Sequence, residues 1–340
     1  MNTRRLLCTG MIGAALAACS GLPSTPAANG PVSRQEVKVI VFPGGFNWPL
    51  WVGLAQDYFV HEGLAVTIVN TPNSTFQLTG LAKGDFDIAM TAIDNIVAYR
   101  EGQGAAGVDG SDLVAVMGAD NGFLKLVSLP EITAIAQLKG RDVSVDSLTT
   151  GYAFVLLEIL ERNGLLLDRG DYRTVPAGGV LQRYEQLLEG KHAATMLISP
   201  FDVLAKSRGM NVLTDASAAL GSYQGLVAGT RRTWAQQNAN LVVGYIRAYR
   251  RSLDWLYDKR NKQSALELFQ RNVPNSNPQT AAIAYDVLLD PKTGFTPDAR
   301  LNEAGTQTVL ALREKYGKPT KKLQGVPSYY DSQFYDMASR

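Results

Sequence analysis

The sequence predicts an α/β fold of two lobes, each a sheet covered by helices, and three observations carry that reading. A strand, a polar turn and a helix follow one another repeatedly on both sides of residue 123. The chain has 340 residues, 46% of them hydrophobic, enough to bury two cores. Extended segments at Gly118 to Ser128 and Tyr223 to Ala228 let the chain leave the first lobe and return, so neither chain end falls in the middle lobe. The first lobe is therefore expected from 36–122 and 223–340, and the second from 123–222.

The unit is most legible in the second lobe. Arg141 to Val145 alternates like a strand, and Tyr152 to Arg162 is long and apolar on one side, a helix ended by Gly164. The turn between them carries Ser147, Thr149, Thr150 and Gly151, so hydroxyls and unpaired helix-start N–H groups converge above it. Tyr172 to Val175 is a short strand. Ala177-Gly178-Gly179-Val180 then turns into a helix whose buried face is read as Leu181, Tyr184, Leu187 and Leu188. Ala193 to Ile198 is another strand, stopped by Ser199-Pro200 before a helix at Phe201. In open α/β sheets ligands lie off the carboxyl ends of the strands, where 147–151, 177–179 and 199–201 fall.

The first lobe repeats the pattern. Val37 to Phe42 is a strand, and Gly44 to Pro49 enters a helix expected to run to about Phe59. The strand Val66 to Val69 leads to the hydroxyl-rich turn Thr71 to Thr75 and a helix. Ile88 to Met90 leads to Thr91-Ala92-Ile93-Asp94-Asn95 and a helix to Arg100, and Leu113 to Met117 is a further strand. No P-loop or dinucleotide-binding glycine spacing occurs. Beyond 230 the chain reads as helices. The face bearing Arg247, Arg250 and Arg251 is an ordinary solvated side, and Tyr329 to Tyr335 is a segment strapped onto the body.

A formal net charge of +2, from 33 basic and 31 acidic residues, gives no steering toward nucleic acid or a membrane surface. Arg4-Arg5 followed by the apolar run Leu6 to Ala18 has signal-peptide length, short of the roughly 20 residues that span a bilayer. Leu16-Ala17-Ala18-Cys19 resembles a bacterial lipoprotein box, which implies lipidation at Cys19 and anchoring in the periplasm or at the cell surface. Residues 20–35 read as a flexible tether. No cysteine follows Cys19, so the body holds no disulfide, thiolate nucleophile or thiolate metal site. His61 and His192 lack metal-motif spacing and are expected to be solvated; no metal or cofactor is expected.

From 36 to about 335 the sequence resembles the periplasmic solute-binding components of ABC importers, in the branch that takes nitrate, taurine, aliphatic sulfonates and pyrimidine thiamine precursors. The residues that carry the likeness are Gly53 to Phe59 with Glu62-Gly63-Leu64, Leu81 to Ala89, Leu138 to Val145 through Gly164-Leu165, Leu187 to Lys191, and Ala248 to Leu256. Lys191-His192-Ala193-Ala194 departs from the family's usual acidic residue at the start of a strand. The resemblance implies a bilobal fold of the type II periplasmic-binding-protein kind, two mixed sheets flanked by helices and joined by a two-strand hinge. It also implies a ligand between the lobes, touched by Phe46-Asn47-Trp48, by Thr91, Asp94 and Asn95, and by Ser147, Thr149, Thr150, Gly151 and Tyr152.

Helix-start amides and hydroxyls, with Thr75, Gly179 and Ser199 at neighbouring turns, suit a carboxylate or sulfonate without a cationic side chain. Phe46, Trp48, Phe201 and Tyr223 are placed to cover an apolar or flat body. Asp94 and Asp120 point the other way, toward an amine-bearing ligand. The expected function is capture of a small organic anion and its delivery to an ABC permease by a monomer that binds no nucleic acid. The alternative is an enzyme of the same fold, like thiamine pyrimidine synthases or chorismate dehydratases. The first kind relies on a cysteine and histidine cluster for which this body has no cysteine.

Overall fold

The computed structural model of the protein describes residues 34–340. The expected signal peptide, the Cys19 box and the tether up to residue 33 lie outside the described residues. Ten strands follow in order: β1 (Gln35–Val41), β2 (Leu64–Asn70), β3 (Ile88–Ala92), β4 (Leu113–Gly118), β5 (Lys125–Ser128), β6 (Asp142–Val145), β7 (Arg173–Pro176), β8 (Ala194–Leu197), β9 (Asn211–Asp215) and β10 (Leu226–Arg231). They form two five-stranded sheets, β2-β1-β3-β10-β4 and β7-β6-β8-β5-β9.

The two sheets share one plan. In each, four strands run in one direction and a strand arriving from the other sheet inserts antiparallel among them. β10 lies between β3 and β4, and β5 between β8 and β9. The fold is thus bilobal, with two mixed sheets flanked by helices, the architecture of type II periplasmic binding proteins. Helices cover both faces of each sheet, which is why β4 and β8 are buried along their whole length. The two crossings run through Asp120 to Leu124 and through Ser222 to Gly225.

Local chemistry explains where the structure departs from the sequence reading. The helix expected from Trp48 to Phe59 breaks into Trp48–Ala55 and Tyr58–His61, because Asp57 takes a left-handed conformation (φ 55°) that a short polar side chain tolerates. β9 carries little alternation and pairs only with β5 at the sheet edge, so its periodicity is faint. The Tyr329 to Tyr335 segment is strapped down: Tyr329 is buried, Tyr330 bridges to Ala115, and Arg250 lies over the Tyr335 ring at 5.3 Å. Among the described residues no helix is long and apolar enough to cross a membrane.

Candidate functional site

Turns at the carboxyl ends of β1, β3, β6 and β8 meet over one cavity of about 50 Å³. A water-sized group needs roughly 10 to 15 Å³ of such space, so the cavity takes on the order of four of them. Phe42, Phe46, Ala92, Val180, Ile198 and Leu226 form its apolar wall. Thr91, Asn95, Asp120, Asp146, Thr150, Tyr152 and Arg183 supply the polar groups. Helices Ile93–Arg100, Gly151–Arg162 and Val180–Leu188 all start at this wall, and none has a side-chain cap at its N-terminus. Their first-turn N–H groups concentrate positive potential there.

Arg183 is the cationic side chain of this wall, and it is 3% exposed. Its Nη1 donates to the Gly178 carbonyl at 2.7 Å and its Nη2 to the Met196 carbonyl at 3.2 Å, while Nε has no partner. No carboxylate among the described residues stands within ion-pair distance of it; burial lowers its pKa, with Asp146 partly offsetting. Sequence reading missed Arg183 because the face it gave as buried, right at Leu187, was otherwise centred on the half-buried Leu181, Tyr184 and Leu188. Val180, Arg183 and Leu187 are the buried positions, and Leu181, Tyr184 and Leu188 line a separate depression. The signal was an arginine three residues after one apolar residue and four before another.

Asp120, on the first crossing, is 2% exposed. Its Oδ1 accepts from the Gly122 N–H at 2.7 Å, and its carbonyl accepts from the Gln224 side chain of the second crossing at 2.9 Å. Burial outweighs the nearby backbone N–H groups and pushes its pKa up to about 6. Tyr152 is pushed up by burial and then by Asp120. Asp146 has an Oδ1 without a hydrogen-bond partner.

Of the residues expected from sequence, Phe46, Thr91, Asn95, Asp120, Thr150, Gly151 and Tyr152 come together on the cavity. Tyr223 is buried behind Tyr152, with ring centroids 6.4 Å apart and its hydroxyl unpaired. The others stand elsewhere. Trp48 is core, 4.5 Å from the Phe269 ring, and Asn47 donates to the Phe42 carbonyl at 2.6 Å. Thr75 and Ser147 line a depression of about 650 Å³ that shares Asp146 with the cavity. Phe201 packs on Tyr184 at 5.5 Å beside a depression of about 680 Å³. Ser199 donates to Asp202 at 2.8 Å. Gly179 donates its N–H to the Pro72 carbonyl across the lobes at 3.1 Å. His192, expected to be solvated, is instead 3% exposed, and burial with nearby Arg183 lowers its pKa to about 4.

Asp94 does not face the cavity because Arg313 holds it. Arg313 Nε donates to Asp94 Oδ1 at 2.7 Å and Nη2 to Oδ2, both side chains being buried. Arg313 Nη2 also donates to the Thr149 carbonyl at 2.6 Å, and the guanidinium lies 4.7 Å from the Phe154 ring centroid. One side chain thus ties the first lobe to the turn and helix of the second. Gly151 sits directly against this pair: a Cβ there would come 2.5 Å from the Asp94 side chain. Because Asp94 is pinned, Gly151→Ala is expected to disfavour the closed lobes by about 1–3 kcal/mol. Small-angle scattering would show a larger radius of gyration with the unfolding midpoint nearly kept; an unchanged radius would contradict it.

The family model described as NMT1/THI5 like matches residues 47–262, more than half of the chain. The chain belongs to the NMT1/THI5-like family. Membership agrees with the resemblance to solute-binding components of ABC importers carried by the residues themselves. No curated protein matches the chain by sequence. Solved structures similar to this family member share its fold at low identity. A protein of Bordetella bronchiseptica RB50 superposes with a TM-score of 0.76 at 17% identity, covering 90% of this chain and 98% of its own. The periplasmic nitrate-binding protein NrtA from Synechocystis PCC 6803 gives 0.75 at 11% identity, covering 90% and 88%. The periplasmic aliphatic sulphonate binding protein SsuA from Escherichia coli gives 0.66 at 18% identity, covering 88% and 93%.

Proposed function

We propose that this protein is an extracytoplasmic solute-binding lipoprotein that captures a small organic anion, a carboxylate or sulfonate, between its lobes and delivers it to an ABC permease. The observation that carries the reading is Arg183: a buried guanidinium with an unmet Nε, lining a cavity onto which three uncapped helix starts converge. A buried charge with no carboxylate in ion-pair contact is costly, and an arriving oxyanion supplies both the charge and a hydrogen-bond acceptor. The nitrate and sulphonate binding named for two proteins of this fold accords with it. Cys19 is the proposed anchor.

No covalent step is needed. Contacts from Arg183 and the Gly151 helix on one side, and from Phe46, Thr91 and Asn95 on the other, bridge the lobes. A ligand bound this way shifts the population toward the closed form, which is the form for a permease to recognise. The test is thermal unfolding with a panel of small carboxylates and sulfonates at matched ionic strength. At least one is expected to raise the melting temperature in a saturable way. Stabilisation by amines or neutral bases alone, with none by any anion, would abandon the anion reading.

A further inference from the structure

Helix Glu303–Tyr316 is fixed to the first lobe and to both crossings, yet its last turn grips the second lobe. At its start, Asn302 Nδ2 donates to Ser222 Oγ at 2.8 Å on the returning crossing and to Asn121 Oδ1 at 3.3 Å on the outgoing one. The Asn302 backbone N–H donates to Gln224 Oε1 at 2.7 Å. Past the helix the chain stays on the first lobe: Gln103 donates to the Pro319 carbonyl at 2.8 Å, and Glu101 receives Lys321 at 2.6 Å and the Tyr329 hydroxyl at 2.7 Å. Between these anchors, Lys315 Nζ donates to Glu158 Oε2 at 2.8 Å and lies 3.0 Å from Glu161 Oε1. The Tyr316 hydroxyl lies 2.8 Å from Glu158 Oε2 and 2.6 Å from Glu161 Oε2. Both glutamates belong to the second-lobe helix Gly151–Arg162, and the Tyr316 ring packs on Phe154 of that helix with centroids 5.9 Å apart.

We infer that this helix end is a clasp, built from Lys315 and Tyr316 against Glu158 and Glu161, that holds the lobes closed before any solute arrives. Every partner in it is supplied by the chain, so its bonds form in the empty protein. Lys315 is exposed, and an isolated ion pair there would count for little. Two features make the clasp stronger than such a pair. The helix is held on both sides of its last turn, so bringing Lys315 and Tyr316 to the glutamates costs little extra ordering. Glu158 is also well shielded: its side chain is 11% exposed, and although burial alone would raise its pKa, the bonds from Lys315, Arg162 and Tyr316 outweigh burial and hold it at about 2. It is therefore a charged acceptor at neutral pH, and hydrogen bonds to a charged group contribute more than neutral ones. Opening the lobes would break the Lys315 and Tyr316 bonds, whereas Arg162, on the same helix as Glu158, would keep its own. Arg313, two residues before Lys315, donates to the Thr149 carbonyl of the second lobe and works in the same direction. Solute then deepens a closure that already exists, and enters only while the clasp is released.

Small-angle scattering on the full chain tests this, after any carried solute has been removed by dialysis against guanidinium below the unfolding midpoint and then against buffer. The stripped parent is expected to keep the radius of gyration of the closed structure. Lys315→Met and Tyr316→Phe keep the stem and the ring while removing the charge and the hydroxyl. Each is expected to lower the ratio of closed to open molecules on the order of tenfold, and the two together on the order of a hundredfold, read as a radius that grows with each change. Lys315→Arg, which keeps the charge, is expected to retain most of the closed population. Guanidinium unfolding of each variant separates release of the clasp from loss of folding: the midpoint should move little while the radius grows. A stripped parent whose radius already exceeds that of the closed structure overturns the clasp, as does a double variant that stays compact. A midpoint that falls with no change of radius also counts against it, because Lys315 and Tyr316 would then be ordinary packing. No solute enters the measurement, so failure of the clasp leaves the anion reading standing, and failure of every anion to bind leaves the clasp standing.

Discussion

Replacing Arg313 by methionine is expected to destabilise the fold by about 3–5 kcal/mol, the cost of leaving one member of a buried ion pair without its partner. Arg313 has no exposed surface and Asp94 almost none, so Asp94 would keep a charge that water cannot reach. Gln103 would lose a donor to its Oε1 at 3.2 Å and the Thr149 carbonyl one at 2.6 Å. Guanidinium denaturation should show a lowered midpoint with an unchanged slope. The decisive control is the double variant Asp94→Asn with Arg313→Met. Removing the orphaned charge should recover a large part of the loss, since the two residues share one interaction. Additive losses in the double variant would mean that the pair is not the source of the effect.

Replacing Arg183 by methionine should act on binding rather than on folding. Its protein partners are two carbonyls, so no carboxylate is left unpaired when it goes. The affinity for the best-binding carboxylate or sulfonate should fall by about two to three orders of magnitude, equivalent to roughly 3–4 kcal/mol. Arg183→Lys should recover part of this: the charge remains, but an ammonium cannot hold both carbonyls and still present the Nε–H. Titration calorimetry reads both variants. Affinity in Arg183→Met within a factor of three of the parent would remove the guanidinium from the site.

Much of this was legible from sequence because strands and turns announce themselves locally. β1, β3, β6 and β8 are short apolar runs followed by polar turns, and the turns at Thr91, Thr150 and Gly151 do reach the cavity. Trp48 was misplaced because an aromatic at a helix start reads alike whether it turns to a ligand or to Phe269. Asp94 was misplaced because its partner is 219 residues away, a distance that no local pattern encodes. His192 looked like a surface residue because its neighbours Glu189, Gly190 and Lys191 are exposed, yet the side chain is buried. The antiparallel insertion of β5 and β10 was equally hidden, since strand direction is fixed by long-range pairing.

Asp120 also ties the two connecting segments to each other. Its carboxylate accepts the Gly122 N–H on the outgoing chain at 2.7 Å, and its carbonyl accepts from the Gln224 side chain on the returning one at 2.9 Å. Any twist of one half against the other therefore acts on a residue of the cavity wall. A solute in the cavity would meet the axle itself, with no relay of intervening side chains. Amide exchange at Gly122, Gly225 and Leu226 is where turning of the halves is expected to register first.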